Sequence, residues 1–123
     1  MAELPTILYV DDEPINLTLF KINFKNKYNI ITAESGDQGL EQLKLNPYVN
    51  VVISDMKMPG MNGIEFIRMA KEDFPDISFF ILTGFDITEE IARALEEKLI
   101  HKYFRKPFNI KEIDSAITEA LSK

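Results

Sequence analysis

Val51-Val52-Ile53-Ser54-Asp55-Met56-Lys57-Met58-Pro59-Gly60-Met61-Asn62-Gly63 begins as an apolar strand, delivers one carboxylate, and breaks into a loop. Val51 to Ile53 are β-branched and apolar on both faces, which suits a central parallel strand covered by helices on either side. Asp55 falls where that strand ends, and Pro59, Gly60 and Gly63 mark the turn. In open α/β sheets ligands sit beyond the carboxyl ends of the strands, so an acid placed there points to chemistry more than to packing.

Working outward, the same alternation recurs along the chain. Ile7 to Val10 reads as a first buried strand, closed by Asp11-Asp12-Glu13 and then by Pro14, which suits a first helical turn. The helix that follows runs to about Asn26 and carries two apolar lines, Ile15/Leu19/Ile22 and Leu17/Phe20/Phe24. Periodicity does not say which of them faces the sheet. Tyr28 to Ala33 is a second strand, and Ser35 caps a helix with Leu40 and Leu43 that stops before Pro47. A helix from about Gly63 to Asp73 follows the Asp55 strand. Ile77 to Leu82 is a fourth strand ending at Thr83-Gly84. Thr88 caps a helix bearing Ile91 and Leu95, and Ile100 to Arg105 forms a fifth strand leading to Lys106-Pro107-Phe108. Asn109 with Glu112 suggests a capping box for a last helix, whose inner face would be Ile110, Ile113, Ile117 and Leu121. Five strands alternating with five helices through short connections imply a doubly wound parallel sheet, flavodoxin-like in its order 2-1-3-4-5, with helices on both faces.

The bulk composition narrows the function classes. With 123 residues, the expectation is one domain over residues 1–123 and no room for a second. A formal charge of −6 and an isoelectric point near 4.8 argue against binding nucleic acid through its phosphates. Without cysteine there are no disulfides or thiolate metal sites, and with no second His or Cys in the sequence His101 is not expected to ligate a metal. The start lacks a basic, apolar leader, and no apolar run nears the ~20 residues of a membrane span. A cytoplasmic α/β domain with no membrane contact is expected.

The predicted strand ends gather Asp11 and Asp12 from the first strand, Asp55 from the third, Thr83 from the fourth and Lys106 from the fifth. Three neighbouring carboxylates raise one another's pKa unless a cation intervenes. All-oxygen ligation selects a hard ion such as Mg²⁺, with Mn²⁺ a substitute. A carboxylate can itself be the nucleophile that forms an acyl phosphate, with a metal, an ammonium and a hydroxyl offsetting the phosphoryl charge. Each feature alone is commonplace; their coincidence at four strand ends carries the reading.

Asp11-Asp12-Glu13-Pro14, the Asp55 to Gly63 stretch, Leu82-Thr83-Gly84 and Lys106-Pro107-Phe108 together resemble the signature of response-regulator receiver domains of two-component signalling. The resemblance, to the CheY-like superfamily, covers essentially the whole chain. It implies that Asp55 accepts a phosphoryl group from a sensor histidine kinase or a histidine phosphotransfer protein. Asp12 and Asp55 would ligate Mg²⁺, Asp11 would assist through water, and the Lys57 carbonyl would complete the protein ligands. Thr83 and Lys106 would bind phosphoryl oxygens, and the Lys106–Pro107 peptide would be cis. Tyr103 would turn inward behind Thr83 on activation, altering the face of the fourth helix, fifth strand and fifth helix. That face would control a downstream protein or fused output domain, or pair two phosphorylated copies as a dimer. Such a domain is not a dedicated enzyme, though it catalyses its own phosphorylation and dephosphorylation.

Some positions vary within this pattern. Lys57 and Phe85 stand where receivers tune the lifetime of the phosphorylated state, and a bulky Phe85 would slow attack by water. Lys98 to Lys102 replace a common Gly-Ala turn with bulkier, basic residues. The family pattern would bury Leu19, Phe20 and Phe24, leaving Ile15 and Ile22 near the surface to dock the phosphodonor. Competing readings are weaker. An FMN carrier would not place Asp11-Asp12-Glu13 in its phosphate loop, and an aspartyl phosphatase would want an acid at position 57. A receiver-like interaction module independent of phosphorylation is the main alternative.

Overall fold

In a computed structural model, described for residues 4–84 and 87–122, the chain forms five parallel strands in the order β2-β1-β3-β4-β5. The strands are β1 (Thr6–Val10), β2 (Asn29–Ala33), β3 (Val51–Asp55), β4 (Ser78–Thr83) and β5 (Lys102–Arg105). The helices are α1 (Pro14–Phe24), α2 (Gly36–Leu45), α3 (Gly63–Asp73), α4 (Glu89–Glu96) and α5 (Ile110–Leu121). The expected order and alternation are what the molecule adopts.

Alternation along the strands divides the core into two layers. Leu8, Val10, Val52, Phe79 and Ile81 pack against Leu43 of α2, Ile64, Phe66 and Ile67 of α3 and Ile91 of α4. Ile7, Tyr9, Val51, Ile53, Phe80 and Leu82 face the other way, onto Leu17, Phe20 and Phe24 of α1 and Ile113, Ala116 and Ile117 of α5. Because β1 and β3 lie inside the sheet, both their faces are covered and every residue in them is buried.

The choice left open for α1 is resolved. Leu17, Phe20 and Phe24 are buried, while Ile15, Leu19 and Ile22 are exposed. The expectation that Leu19 points inward is corrected: helical geometry puts it on the line of Ile15 and Ile22, opposite the buried one. The helix also ends at Phe24, short of Asn26. In α5, Ile110 and Leu121 lie at the helix ends and stay partly exposed, so Ile113, Ala116 and Ile117 make the inner face. Asn109 does cap α5 by accepting from Glu112 N, but the full two-way capping box is at Asn62 and Glu65, opening α3.

The fifth strand starts at Lys102, not at Ile100. The reason lies at the end of α4. Lys98 has a left-handed φ of 60°, its N–H donates to Leu95 O at 3.1 Å, and Leu99 N–H reaches back to Ala94 O at 2.9 Å. This is a Schellman ending, in which glycine usually takes the left-handed position. The bulk of the turn is used, since Leu99 and Ile100 bury themselves in the α2–α3–α4 layer. His101 stays exposed at the surface and stacks on Phe80, with ring centroids 5.6 Å apart.

Candidate functional site

The register of the sheet brings the chemistry to one end. Asp55, the last residue of β3, lies opposite Leu82, and Thr83 closes β4 beside Arg105. Lys106 follows directly, and its N–H donates to Thr83 O at 2.7 Å, which holds the lysine at the end of β5. The Lys106–Pro107 peptide is cis, as expected. Beyond Asp55 the chain turns back onto itself: Gly63 N–H donates to Met56 O at 2.9 Å. A Cβ at Gly63 would stand 2.4 Å from Asp55 O and 2.8 Å from Ile81 Cδ1, so a side chain there would displace the acid's own backbone. Gly60 supplies the left-handed φ of 79° that the loop needs.

Asp12, Asp55, Lys57 and Lys106 line one hollow of about 620 Å³, together with Glu13, Met58, Pro59 and Gly84. Asp11 lies behind it, fully buried. Carboxylate oxygens of Asp11, Asp12 and Asp55 lie within 4.8 Å of one another. Lys106 Nζ stands 3.2 Å from Asp55 Oδ1 and 3.4 Å from Asp11 Oδ2. Burial, followed by the charge of Asp11, pushes the Asp55 carboxyl up from 3.8 to about 6, although Lys106 pulls the other way. Burial lowers the Lys106 ammonium, but Asp55 and Asp11 outweigh it and the net direction is upward. Three acids crowd around the half-buried Lys106 ammonium, so this cluster carries an excess of negative charge in a partly desolvated place. An all-carboxylate set of this spacing, with no His or Cys, has the chemistry of a hard divalent cation site and fits Mg²⁺.

Not every predicted residue meets in that hollow. Thr83 is buried and borders an adjoining one of about 310 Å³, shared with Met56, Lys57, Met58, Asn62 and Thr88. Tyr103 is half-buried, packed on the α2–α3–α4 layer and in register with Ile81. Ile15 and Ile22 stand exposed on α1. Phe85 lies outside the described residues.

One residue was missed. Tyr9, buried on β1, donates its hydroxyl to Asp11 Oδ2 at 2.8 Å, while Asp11 Oδ1 accepts Glu13 N–H at 3.0 Å. Burial first, and then the charge of Asp11, drives the Tyr9 phenol well above its ordinary pKa, so it remains a donor. The available signal was spacing: residues i and i+2 of an extended chain share a side, and Tyr9 is the polar-tipped residue of an otherwise apolar run.

Comparison with known proteins agrees with the fold. The chain is 32% identical over 94% of its length to a cyclic di-GMP phosphodiesterase of Thermotoga maritima, covering 31% of that protein. It is 30% identical over 84% of its length to the hydrogenase transcriptional regulatory protein HoxA of Cupriavidus necator, covering 21%. It is 30% identical over 96% of its length to the sensor kinase CckA of Brucella abortus, covering 13%. The chain thus spans a third or less of these relatives. Among solved structures, a response regulator receiver domain protein of Clostridium thermocellum superposes with a TM-score of 0.86 at 31% identity, over 97% of this chain and 95% of that one. TrrA of Thermotoga maritima, solved in complex with Mg²⁺ and beryllofluoride, gives 0.82 at 28%, over 95% and 99%. The model of the response regulator receiver domain matches residues 7–118, and the chain belongs to that family of two-component signalling modules.

Proposed function

We propose that the domain is switched by transfer of a phosphoryl group onto Asp55. The observation that carries this reading is Lys106 Nζ at 3.2 Å from an Asp55 oxygen, inside a cluster of three carboxylates opening onto one hollow. At neutral pH a carboxyl with a pKa of about 6 is ionised yet more basic than an ordinary carboxylate, as a nucleophile should be. In the transfer an Asp55 oxygen bonds to phosphorus. The bond from phosphorus to the donor's imidazole nitrogen breaks, and that nitrogen keeps the electron pair. The donor is a histidine of a sensor kinase or of a phosphotransfer protein. Asp12, Asp55 and the Lys57 carbonyl would hold Mg²⁺, with Asp11 assisting through water, and the ion would supply positive charge against the phosphoryl oxygens. Lys106 would offset phosphoryl charge as well, with an ammonium held 3.2 Å from Asp55.

Thr83, buried beside the acceptor, is positioned by this reading to hydrogen-bond a phosphoryl oxygen, and Tyr103 to fill the space it vacates. The α4–β5–α5 face would then change and engage a downstream protein, an output domain or a second copy. Ile15, Leu19 and Ile22 form an exposed apolar line on α1, suited to docking the donor's helices.

Incubation with Mg²⁺ and acetyl phosphate, followed by intact mass, tests the acceptor. One phosphoryl group should be gained by the natural sequence and none by Asp55→Asn. No gain, with unimpaired partner binding, would favour an interaction module that works without phosphorylation.

A further inference from the structure

We propose that Tyr9 is a positioning residue: its hydroxyl shares the Asp11 oxygen that also holds Lys106 and weakens that hold, leaving the ammonium nearer Asp55 and its phosphoryl group. The inference rests on Asp55 being the acceptor. Among the described residues, three donors meet Asp11, namely Glu13 N–H on Oδ1 at 3.0 Å, and Tyr9 Oη at 2.8 Å and Lys106 Nζ at 3.4 Å on Oδ2. The hydroxyl is the closer of the two donors on Oδ2. Lys106 in turn lies closer to Asp55 than to Asp11, at 3.2 against 3.4 Å. A fully buried carboxylate holds whatever donors it can reach, because an unmet one is costly. Without the hydroxyl, Lys106 is the side-chain donor left on Oδ2 among the described residues, and Asp11 draws it away from Asp55.

Packing alone does not account for a tyrosine here. The ring stacks on Phe20 with centroids 4.1 Å apart and planes 11° from parallel, in a layer whose other rings include Phe20, Phe24, Phe80 and Phe104. A phenylalanine would fill that place, whereas a buried tyrosine requires a partner for its hydroxyl. The stack holds the ring still and aims the hydroxyl at one oxygen.

The test compares the full chain with Tyr9→Phe, which keeps the ring. Mg²⁺ affinity by titration should stay within about threefold. At saturating Mg²⁺, beryllofluoride affinity and the rate of phosphorylation by acetyl phosphate should each fall about tenfold, the scale of one hydrogen bond to a charged group. Phe20→Leu, which disturbs the stack but leaves the hydroxyl, should lower the melting temperature while holding the rate within about twofold. Beryllofluoride affinity and rate unchanged in Tyr9→Phe would overturn the proposal. So would losses that disappear on raising Mg²⁺, which mark a ligand-holding role, or an equal loss in Phe20→Leu, which marks packing. A natural sequence that gains no phosphoryl group overturns the acceptor reading as well. If it is phosphorylated and Tyr9→Phe matches it, the Tyr9 role alone falls.

Discussion

Two tyrosine–aspartate–lysine clusters use the same groups to opposite ends. At the carboxyl end of the sheet, Asp11 accepts from Tyr9 and pairs with Lys106. Where α5 meets the turn before β2, Asp114 accepts from Tyr28 and pairs with Lys27 at 3.1 Å. Asp114 keeps about a third of its side chain in solvent. The Tyr28 hydrogen bond, then Lys27, holds its carboxyl below the usual range. Asp11 has no solvent and two more carboxylates beside it, and at Asp55 burial first, and then the charge of Asp11, raises the pKa to about 6. The charged carboxylate is therefore favoured at Asp114 and disfavoured at Asp55. A resisted charge is available to a cation or a phosphoryl group; a rewarded one simply fastens two elements.

The largest effect that could break this contrast is at Lys106. If the interior ammonium serves chemistry, Lys106→Met should slow phosphorylation by acetyl phosphate roughly 10²-fold or more, the loss usual for a preorganised charge donor. Lys27→Met should leave that rate within about twofold. Stopped-flow fluorescence or time-resolved intact mass would read both, and similar losses in the two variants would erase the distinction.

Next comes the pH response, which should have opposite signs in the two places. The native metal-free domain keeps a proton on Asp55 until about pH 6, whereas the unfolded chain releases it near 3.8. Its stability contribution therefore falls as pH rises through that window. Asp55→Asn should remove the penalty and stabilise the metal-free protein at pH 7 by about 3 kcal/mol, with the gain vanishing toward pH 4. Asp114, with its pKa lowered, stabilises above its ordinary titration range and loses that contribution as pH falls further. Urea denaturation between pH 3 and 7.5 measures both, and a pH-independent gain from Asp55→Asn would contradict the account.

The smallest effect is at the surface cluster. Tyr28→Phe should cost about 1 kcal/mol of stability by losing one hydrogen bond, with phosphorylation unchanged. A change in phosphorylation rate would show that the surface cluster is coupled to the site after all.

Much of this was legible in the residues. Helix and strand order followed from apolar runs such as Val51 to Ile53 and from caps at Ser35, Thr88 and Asn109, all of which form. Asp11, Asp12, Asp55 and Lys106 were placed together by strand ends alone, because a parallel sheet delivers every strand's carboxyl end to one side. The inner face of α1 was not, since both its apolar lines have helical spacing and only contact with the sheet selects Leu17, Phe20 and Phe24. Nor was the start of β5, where Lys98 takes a conformation that its identity does not advertise.

What the sequence determined by itself is the set of acids, the lysine and the order in which strands present them, because these depend on local pattern and on the direction of the chain. What the tertiary structure decided is how they share one another. That Asp11 retreats behind the hollow, that Tyr9 satisfies it, and that Lys106 leans toward Asp55 all depend on distances of a few ångströms between β1, β3 and β5. Electrostatics at that range varies steeply with separation and with burial, and neither is written in the order of residues.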